Sequence, residues 1–172
     1  MTDVRYIYRL EPQPDGHPRP EEISFLALVR ASSGLAHFAL LRREFGWTGA
    51  MKAVLKLATR RRALFGFVRN DAFVSSLWAT EHSPRYPIEA GSCVLGPLLT
   101  RTDVRGKGLA TSLLRTTADC LARRGYGGLY IDTTPGNIAS RRAITRAGFV
   151  PYAVLRGERV RKLPPAGMFR KA

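Results

Sequence analysis

The sequence predicts one mixed α/β domain, because segments typical of strands and of helices alternate along a chain of 172 residues. Residues 93–100 form a short apolar run with strand composition, bounded by turn residues. Residues 109–124 repeat apolar side chains at the three- and four-residue steps of a helix. A second strand-like run at 129–133 precedes a second helical stretch. We expect the rest of the chain to be arranged around these two strand–turn–helix units.

The N-terminal segment predicts a strand followed by a helix. Residues 4–10 are rich in β-branched and aromatic side chains, which are typical of a strand. Residues 11–20 contain several prolines and predict a loop. A helix is predicted over 21–29, because two acidic residues follow a proline at its start. Ser32-Ser33-Gly34 is expected to interrupt that helix.

Two further helices and a hairpin are predicted before residue 81. The helical stretches 35–45 and 50–62 are separated by a break at Gly46-Trp47-Thr48-Gly49. Residues 64–68 and 73–80 have strand composition, and the short polar turn between them predicts a β-hairpin.

The turn between the strand at 93–100 and the following helix has the composition of an anion-binding site. Gly106 and Gly108 allow the backbone to approach a ligand closely. The first N–H groups of a helix lack intrahelical partners, and the helix dipole is positive at that end. Arg105 and Lys107 therefore repel the dipole unless an anion lies between them. The alternative is a plain basic turn in which Asp103 caps the helix.

A second helix start has the same character. Asn137 is a good N-cap for a helix that Gly148 terminates. The first turn of that helix carries Arg141 and Arg142 and no acid. After it, two short runs at 150–155 and 159–163 predict a closing hairpin, followed by a basic tail.

The charge balance points to an acidic partner. The formal net charge is +15, which suits phosphorylated ligands, nucleic acid or an anionic membrane surface. No apolar run is long enough to cross a bilayer, and the first residues lack the layout of a signal peptide, so we expect a cytoplasmic protein. Cys93 and Cys120 form no CxxC pair and predict core thiols rather than a disulfide or a metal site.

Two motifs resemble the GNAT superfamily of acyl-CoA N-acyltransferases. The segment Arg105-Gly106-Lys107-Gly108-Leu109-Ala110 fits the family signature Arg/Gln-x-x-Gly-x-Gly/Ala, between a strand and a helix. Asn137-x-x-Ser140 followed by Gly148-Phe149 is similar to the second family motif. The resemblance extends over residues 93–152, and the residues before it match only in the order of elements.

The resemblance implies a mixed, strongly twisted central sheet of about six to seven strands flanked by helices. This number of strands is within the usual range for sheets. The sheet would open between the strands at 93–100 and 129–133. Residues 1–172 would form a single N-acetyltransferase domain, with an acceptor side at about 1–92 and an acyl-CoA side at about 93–163.

The resemblance also implies that acetyl-CoA lies in this opening, with no metal. The pantetheine arm would pair with the backbone of Leu98, Leu99 and Thr100, and a backbone N–H there would hold the thioester oxygen. Arg141 or Arg142 would meet a phosphate. The expected CoA-binding residues are Leu98, Leu99, Thr100, Arg105, Gly106, Lys107, Gly108, Leu109, Ala110, Thr111, Asn137, Ser140 and Arg142.

The catalytic groups are less clearly indicated. Many GNAT enzymes place a proton-donating Tyr seven residues after the Asn, where this chain has Ile144. Tyr152 is a candidate general acid in its place, with Tyr130, a water or unassisted departure of the thiolate as alternatives. Glu81, Asp132 and His82 are candidates for the base that takes the proton of the amine. Each of these residues also has an ordinary structural interpretation.

The predicted acceptor is an amine on a small molecule or peptide, and the positive charge favours an acidic one. The loop at 81–92 and the N-terminal helices would form its site. Two alternatives stay open: a basic protein associated with nucleic acid, and a catalytically weak acyl-CoA sensor with the same fold. We expect a monomer or a homodimer.

Overall fold

The computed structural model describes residues 4–12 and 23–163, which contain eight strands and four helices. The strands are β1 Val4–Leu10, β2 Ser24–Leu28, β3 Arg62–Arg69, β4 Ala72–Thr80, β5 Ser92–Thr100, β6 Gly128–Thr133, β7 Val150–Arg156 and β8 Arg159–Lys162. The helices are α1 Ala31–Ala36, α2 Phe38–Ala58, α3 Leu109–Ala122 and α4 Ile138–Arg146.

All eight strands form one mixed sheet in the order β2-β3-β4-β5-β6-β1-β7-β8. Only the pair β5–β6 is parallel among these strands, and the other neighbours are antiparallel. The predicted fold class is confirmed. The sheet is larger than the predicted six to seven strands, because one segment predicted as a helix is a strand.

That segment is β2, and the predicted helix over 21–29 is wrong over its described part. β2 pairs with β3 from Ser24↔Val68 to Leu28↔Leu64, and the ring of Phe25 stacks on Phe65 with the centroids 6.1 Å apart. An apolar run of five residues cannot be assigned to strand or helix from periodicity alone. Residues 21 and 22, whose acidic character suggested the helix, lie outside the described residues.

The helices α1 and α2 also differ from the prediction. The predicted interruption at Ser32–Gly34 is wrong, because these residues lie within α1. Gly34 is needed there for close packing, since a Cβ at this position would lie 2.9 Å from Leu57 Cδ1 of α2. The predicted break near Gly46 is a kink within α2, where Gly46 has φ +70. The helix then ends at Ala58, so that Arg62 begins β3 instead of ending the helix.

The remaining predicted elements are confirmed within one to a few residues. They include the first strand, the β3–β4 hairpin, both strand–turn–helix units and the closing β7–β8 hairpin. The main core lies between α3 and the sheet, where α3 buries Leu113, Leu114 and Leu121 against β3, β4 and β5. The predicted tail after residue 163 lies outside the described residues.

The sheet opens between its two parallel strands. β5 and β6 pair from Ser92↔Gly128 to Leu95↔Ile131, and the pairing ends there. β5 continues to Thr100 along β4 alone, with a register shift where Gly96 and Pro97 lie opposite Trp78. A bulge of this kind bends the strand that carries the extra residue. The C-terminal half of β5 therefore separates from β6, as the sequence resemblance predicted.

Within residues 4–12 and 23–163, no helix is long and apolar enough to cross a membrane.

We predict that Gly66→Ala destabilises the fold by about 1–3 kcal/mol, the usual cost of overpacking a filled core. An added Cβ would lie 2.4 Å from two ring carbons of Phe73 and 3.1 Å from the carbonyl oxygen of Ser75. Urea unfolding measures the effect. The matched control is Gly127→Ala, where a Cβ would meet nothing within 4 Å, and its unfolding midpoint should stay near that of the parent protein. Equal stability of both variants would contradict the packing described for β3.

Candidate active site

Two clefts meet where β5 and β6 separate. The first, called here the helix cleft, lies at the N-terminal ends of α3 and α4 and has a volume of about 510 Å³. The second, called the loop cleft, lies beside the loop that joins β4 to β5 and has a volume of about 670 Å³. Leu98, Asn137 and Ser140 line both clefts. A ligand in one cleft can therefore reach a ligand in the other through the opening in the sheet.

The helix cleft is built by the start of α3. Gly108 is the N-cap of this helix with φ +76, and Gly106 has φ +80. These left-handed conformations suit glycine, and a Cβ at either position would meet nothing within 4 Å. The turn therefore faces open space, and the first amides of α3 lack a side-chain cap. This arrangement can hold an anion against the positive end of the helix dipole.

The alternative interpretation of this turn is a purely structural one, in which Asp103 caps the helix. In the structure Asp103 instead forms an ion pair with Arg101, whose Nη2 lies 2.7 Å from Asp103 Oδ2. That hydrogen bond lowers the pKa of Asp103. Within the described chain no acidic residue lines the helix cleft, although Arg105, Arg142 and Arg146 do. The charged side chains in the lining of the helix cleft are therefore all cationic, which suits an anion.

One edge of β5 faces the opening with its backbone. The amide of Arg101 donates to the carbonyl of Val74 at 3.1 Å, and Ser75 Oγ donates to the carbonyl of Leu99 at 2.9 Å. Leu99 and Arg101 therefore direct their backbone groups towards β4. Because these groups alternate along a strand, Leu98 and Thr100 direct theirs towards the opening. The carbonyl of Thr100 accepts a hydrogen bond from Arg105 Nε at 3.0 Å.

The two arginines at the start of α4 have different surroundings. Arg142 is exposed and lines the helix cleft. Arg141 lies outside it, with its guanidinium 5.1 Å from the ring centroid of Tyr6 and a hydrogen bond to the carbonyl of Pro135 at 3.2 Å. The side chain of Asn137 accepts a hydrogen bond from the amide of Ser140 at 3.1 Å, so Asn137 caps α4 as predicted.

All predicted CoA-binding residues except Lys107 line the helix cleft, and their contact with a ligand stays a prediction. Val104, Ala139, Ala143 and Arg146 line it as well and were not predicted. Arg146 lies one helical turn after Arg142, a spacing that could have indicated it.

The loop cleft has a cationic wall organised by one carboxylate. Arg5 Nη1 lies 2.7 Å from Asp132 Oδ1, and Arg85 Nη1 lies 3.5 Å from the same oxygen. The hydroxyl of Tyr86 donates to Asp132 Oδ2 at 3.3 Å. Burial of Tyr86, followed by the charge of Asp132, raises the pKa of its phenol. Asp132 therefore orients two cations that line the cleft, and Arg62 and His82 complete the polar lining.

The sequence matches the profile of the Acetyltransferase (GNAT) family over residues 35–149, two thirds of the chain. The chain belongs to the GNAT acetyltransferase family. A GNAT-family acetyltransferase from Colwellia psychrerythraea has a similar structure, with a TM-score of 0.61 and 17% identity over 90% of this chain and 54% of that chain. A GCN5-related N-acetyltransferase from Sphaerobacter thermophilus has a TM-score of 0.64 and 18% identity over 90% of this chain and 50% of that chain.

An aminoglycoside acetyltransferase in complex with coenzyme A has a TM-score of 0.52 and 16% identity, over 74% of this chain and 84% of that chain. At these identities the solved structures share the fold alone with this protein. The chain spans about half the length of the first two GNAT structures compared. No functionally curated protein matches the sequence.

Among the predicted catalytic candidates, the tyrosines and Glu81 lie away from the clefts of this GNAT domain. Tyr152 lies on β7, which β1 separates from β6, and its ring packs edge-on against Tyr130 at 5.4 Å. Glu81 points into a third pocket and accepts a hydrogen bond from the hydroxyl of Tyr126 at 2.8 Å. Ile144, at the position of the usual family Tyr, is fully buried in the main core.

Asp132 and His82, both predicted as candidate bases, line the loop cleft, and the ion pairs of Asp132 give it a positioning role. No group of His, Cys, Asp or Glu within residues 4–12 and 23–163 is arranged to hold a metal ion. Sequence reasoning missed Arg5, Arg62, Arg85 and Tyr86, because they come together only when β1, β3 and the loop before β5 are placed around β6.

We predict that Gly108→Trp abolishes binding of CoA, because the indole would occupy the open space over the first turn of α3. The matched control is Gly91→Trp. Gly91 has φ +73 against +76 for Gly108, is equally free of neighbours, and lines neither cleft. Both variants therefore carry the same backbone strain of about 1–2 kcal/mol for a side chain in this conformation. Calorimetric titration with CoA should separate them, and equal affinities would contradict the assignment of the turn.

Proposed function

We propose that this protein transfers the acetyl group of acetyl-CoA to an amine, and that the acceptor carries an anionic group. The observation that carries the proposal is the meeting of two clefts at Leu98, Asn137 and Ser140, one suited to a polyanion and the other open to a second substrate. Membership of the GNAT family supports the same reaction class.

Three features of the helix cleft suit acetyl-CoA. The glycine turn leaves open space, the first amides of α3 lack a side-chain cap, and the charged residues of the lining are all cationic. The amides at residues 105–110 would hold the pyrophosphate, as helix N-termini commonly do. Arg142 and Arg146 would meet the remaining phosphate, since guanidinium groups bind phosphate oxygens in pairs. The outward-facing backbone of Leu98 and Thr100 would hydrogen-bond the pantetheine arm in the manner of an added strand.

Acetyl-CoA supplies a thioester that a neutral amine attacks directly. A backbone N–H of Leu98 or Thr100, aimed at the opening, would stabilise the negative charge that develops on the thioester oxygen. This donor is already fixed by the pairing of β5 with β4, so that it needs no rearrangement during the reaction.

The surroundings of the loop cleft favour a neutral amine. Arg5, Arg62 and Arg85 line it, and nearby positive charges lower the pKa of an ammonium group. His82 also lines the cleft, and an imidazole is suited to taking a proton near neutral pH, directly or through a water. We assign the base to His82. No tyrosine of the described chain lines either cleft, so we assign protonation of the leaving thiolate to water.

The same three arginines support an anionic acceptor. They face one carboxylate in the lining, that of Asp132. Such a wall repels a polycation of the aminoglycoside type and attracts an amine that also bears a carboxylate or phosphate. An amino sugar linked to a nucleotide and an acidic peptide both have this chemistry.

We expect acetyl-CoA to bind in calorimetric titration and to bind more weakly when its 3′-phosphate is removed, because that phosphate would lose its arginine partners. Release of free CoA thiol, followed with a panel of amines at equal concentration, then tests the transfer. Anionic amines should give a higher kcat/KM than neutral amines of the same size. Binding of acetyl-CoA without turnover of any amine would indicate an acyl-CoA sensor, and absence of both would overturn the proposal.

We predict that Arg85→Ala raises the KM of an anionic acceptor about tenfold with little change in kcat, since a charge-assisted hydrogen bond contributes about that factor. Arg85 is half exposed and lines the loop cleft beside Asp132. Arg42→Ala, an exposed change on α2 with the same loss of charge, is the control and should leave KM unchanged. Steady-state kinetics at fixed acetyl-CoA measure KM for both variants. An equal rise of KM in the control would contradict a specific role for Arg85 and indicate an effect of overall charge.

A further inference from the structure

We propose that this protein has a second anion-binding site, which binds a small molecule carrying two or more phosphate groups independently of CoA. The site is a pocket of about 490 Å³, called here the arginine pocket. Its cationic lining consists of Arg30, Arg60, Arg61, Arg62 and Arg124. It lies beyond the C-terminal end of α3, whereas the helix cleft lies at the N-terminal end of the same helix.

The five arginines come from three separate parts of the chain. Arg30 follows β2, Arg60 and Arg61 lie between α2 and β3, Arg62 begins β3, and Arg124 follows α3. Arg60 has φ +56, a conformation that residues with a side chain rarely adopt. Strained backbone of this kind persists where the surrounding structure imposes it, and it is frequent at functional sites.

The pocket has little negative charge to balance these cations. Glu81 is the one acid in its lining, and its carboxylate accepts a hydrogen bond from the hydroxyl of Tyr126 at 2.8 Å. Among the described residues, no ion pair joins Glu81 to any of the five arginines. Guanidinium groups that share one carboxylate repel one another as far as solvent leaves them unscreened, and an anion between them removes this repulsion.

The helix dipoles account for part of this arrangement only. α2 and α3 end beside the pocket, and cations are favourable at helix C-termini. This explains Arg60 and Arg124. The dipole effect falls off within the last turn, so it does not explain Arg30 after β2 or Arg62 within β3.

The shape of the pocket favours a small phosphorylated ligand. Its volume lies within the usual range for small-molecule sites, of roughly 300–1,000 Å³. Ala63, Ala79 and Leu121 give it an apolar floor, and Tyr126 lies at its side. Guanidinium groups bind phosphate through paired hydrogen bonds, which suits a chain of phosphates held by several arginines at once.

The pocket adjoins the loop cleft but shares little with it. Arg62 and Thr80 line both, whereas Arg61 and Arg124 line the arginine pocket alone among the described pockets. These two residues therefore test the second site without touching the machinery assigned to acetyl transfer. Because the proposal concerns binding, it stands or falls separately from the transfer reaction.

The test is calorimetric titration of the protein with inorganic tripolyphosphate at physiological salt, in the presence of saturating CoA so that the helix cleft is filled. We expect one site per chain. The double variant Arg61→Ala/Arg124→Ala should weaken this binding about tenfold or more, since each charge-assisted hydrogen bond contributes roughly that factor. Arg61→Lys/Arg124→Lys keeps the charge but lacks the paired donors, and its affinity should lie between the two.

The matched control is Arg42→Ala/Arg156→Ala, which removes the same charge at exposed positions outside the pockets. It should bind tripolyphosphate as the parent protein does. Circular dichroism and the affinity for CoA check that each variant is folded. Absence of tripolyphosphate binding by the parent protein would overturn the proposal. So would equal weakening in both alanine variants, or a tighter binding of single-stranded RNA that the control pair weakens equally, because both results indicate a diffuse basic surface.

Discussion

The ladder between β5 and β6 ends at Leu95 and Ile131, and this early end organises the GNAT domain. Up to that point the two parallel strands share hydrogen bonds. Beyond it, β5 is held by β4 alone, so that one edge of its backbone faces an opening. Both clefts reach this opening, and the helices α3 and α4 start beside it. The positions of both clefts thus follow from one interrupted pairing.

Positively charged side chains line the concave surfaces of this protein. The chain has 28 Lys and Arg against 13 Asp and Glu, and some of the described acids hold particular cations in place. Asp132 fixes Arg5 and Arg85, and Asp103 holds Arg101. The helix cleft and the arginine pocket keep a surplus of guanidinium groups. A basic composition alone does not show where these cations gather, whereas the structure places them around two concave surfaces.

Local signals made the acyl-CoA side of the domain predictable. The glycine turn before α3 and the Asn137 cap depend on residues close in sequence, and the structure has both. β2 was not predictable, because its strand conformation depends on pairing with β3, more than thirty residues later. The sequence predicts a helix break at Gly34. In the structure Gly34 lies within a helix, and its lack of a side chain allows close contact with Leu57. The loop cleft escaped prediction for the same reason, since its lining is assembled from distant segments. The prediction of a single domain, with an acceptor side before about residue 92 and an acyl-CoA side after it, stays a prediction.

The hydrogen bond from Arg105 to the carbonyl of Thr100 bears on how the domain behaves in a crowded solution. An unpaired strand edge is a template on which another polypeptide can add a strand and begin aggregation. Here the exposed edge is short, one of its carbonyls is covered by a guanidinium, and cations surround it. Approaching basic chains of the same protein are repelled from it. The polar and cationic groups around this edge therefore disfavour the addition of another strand.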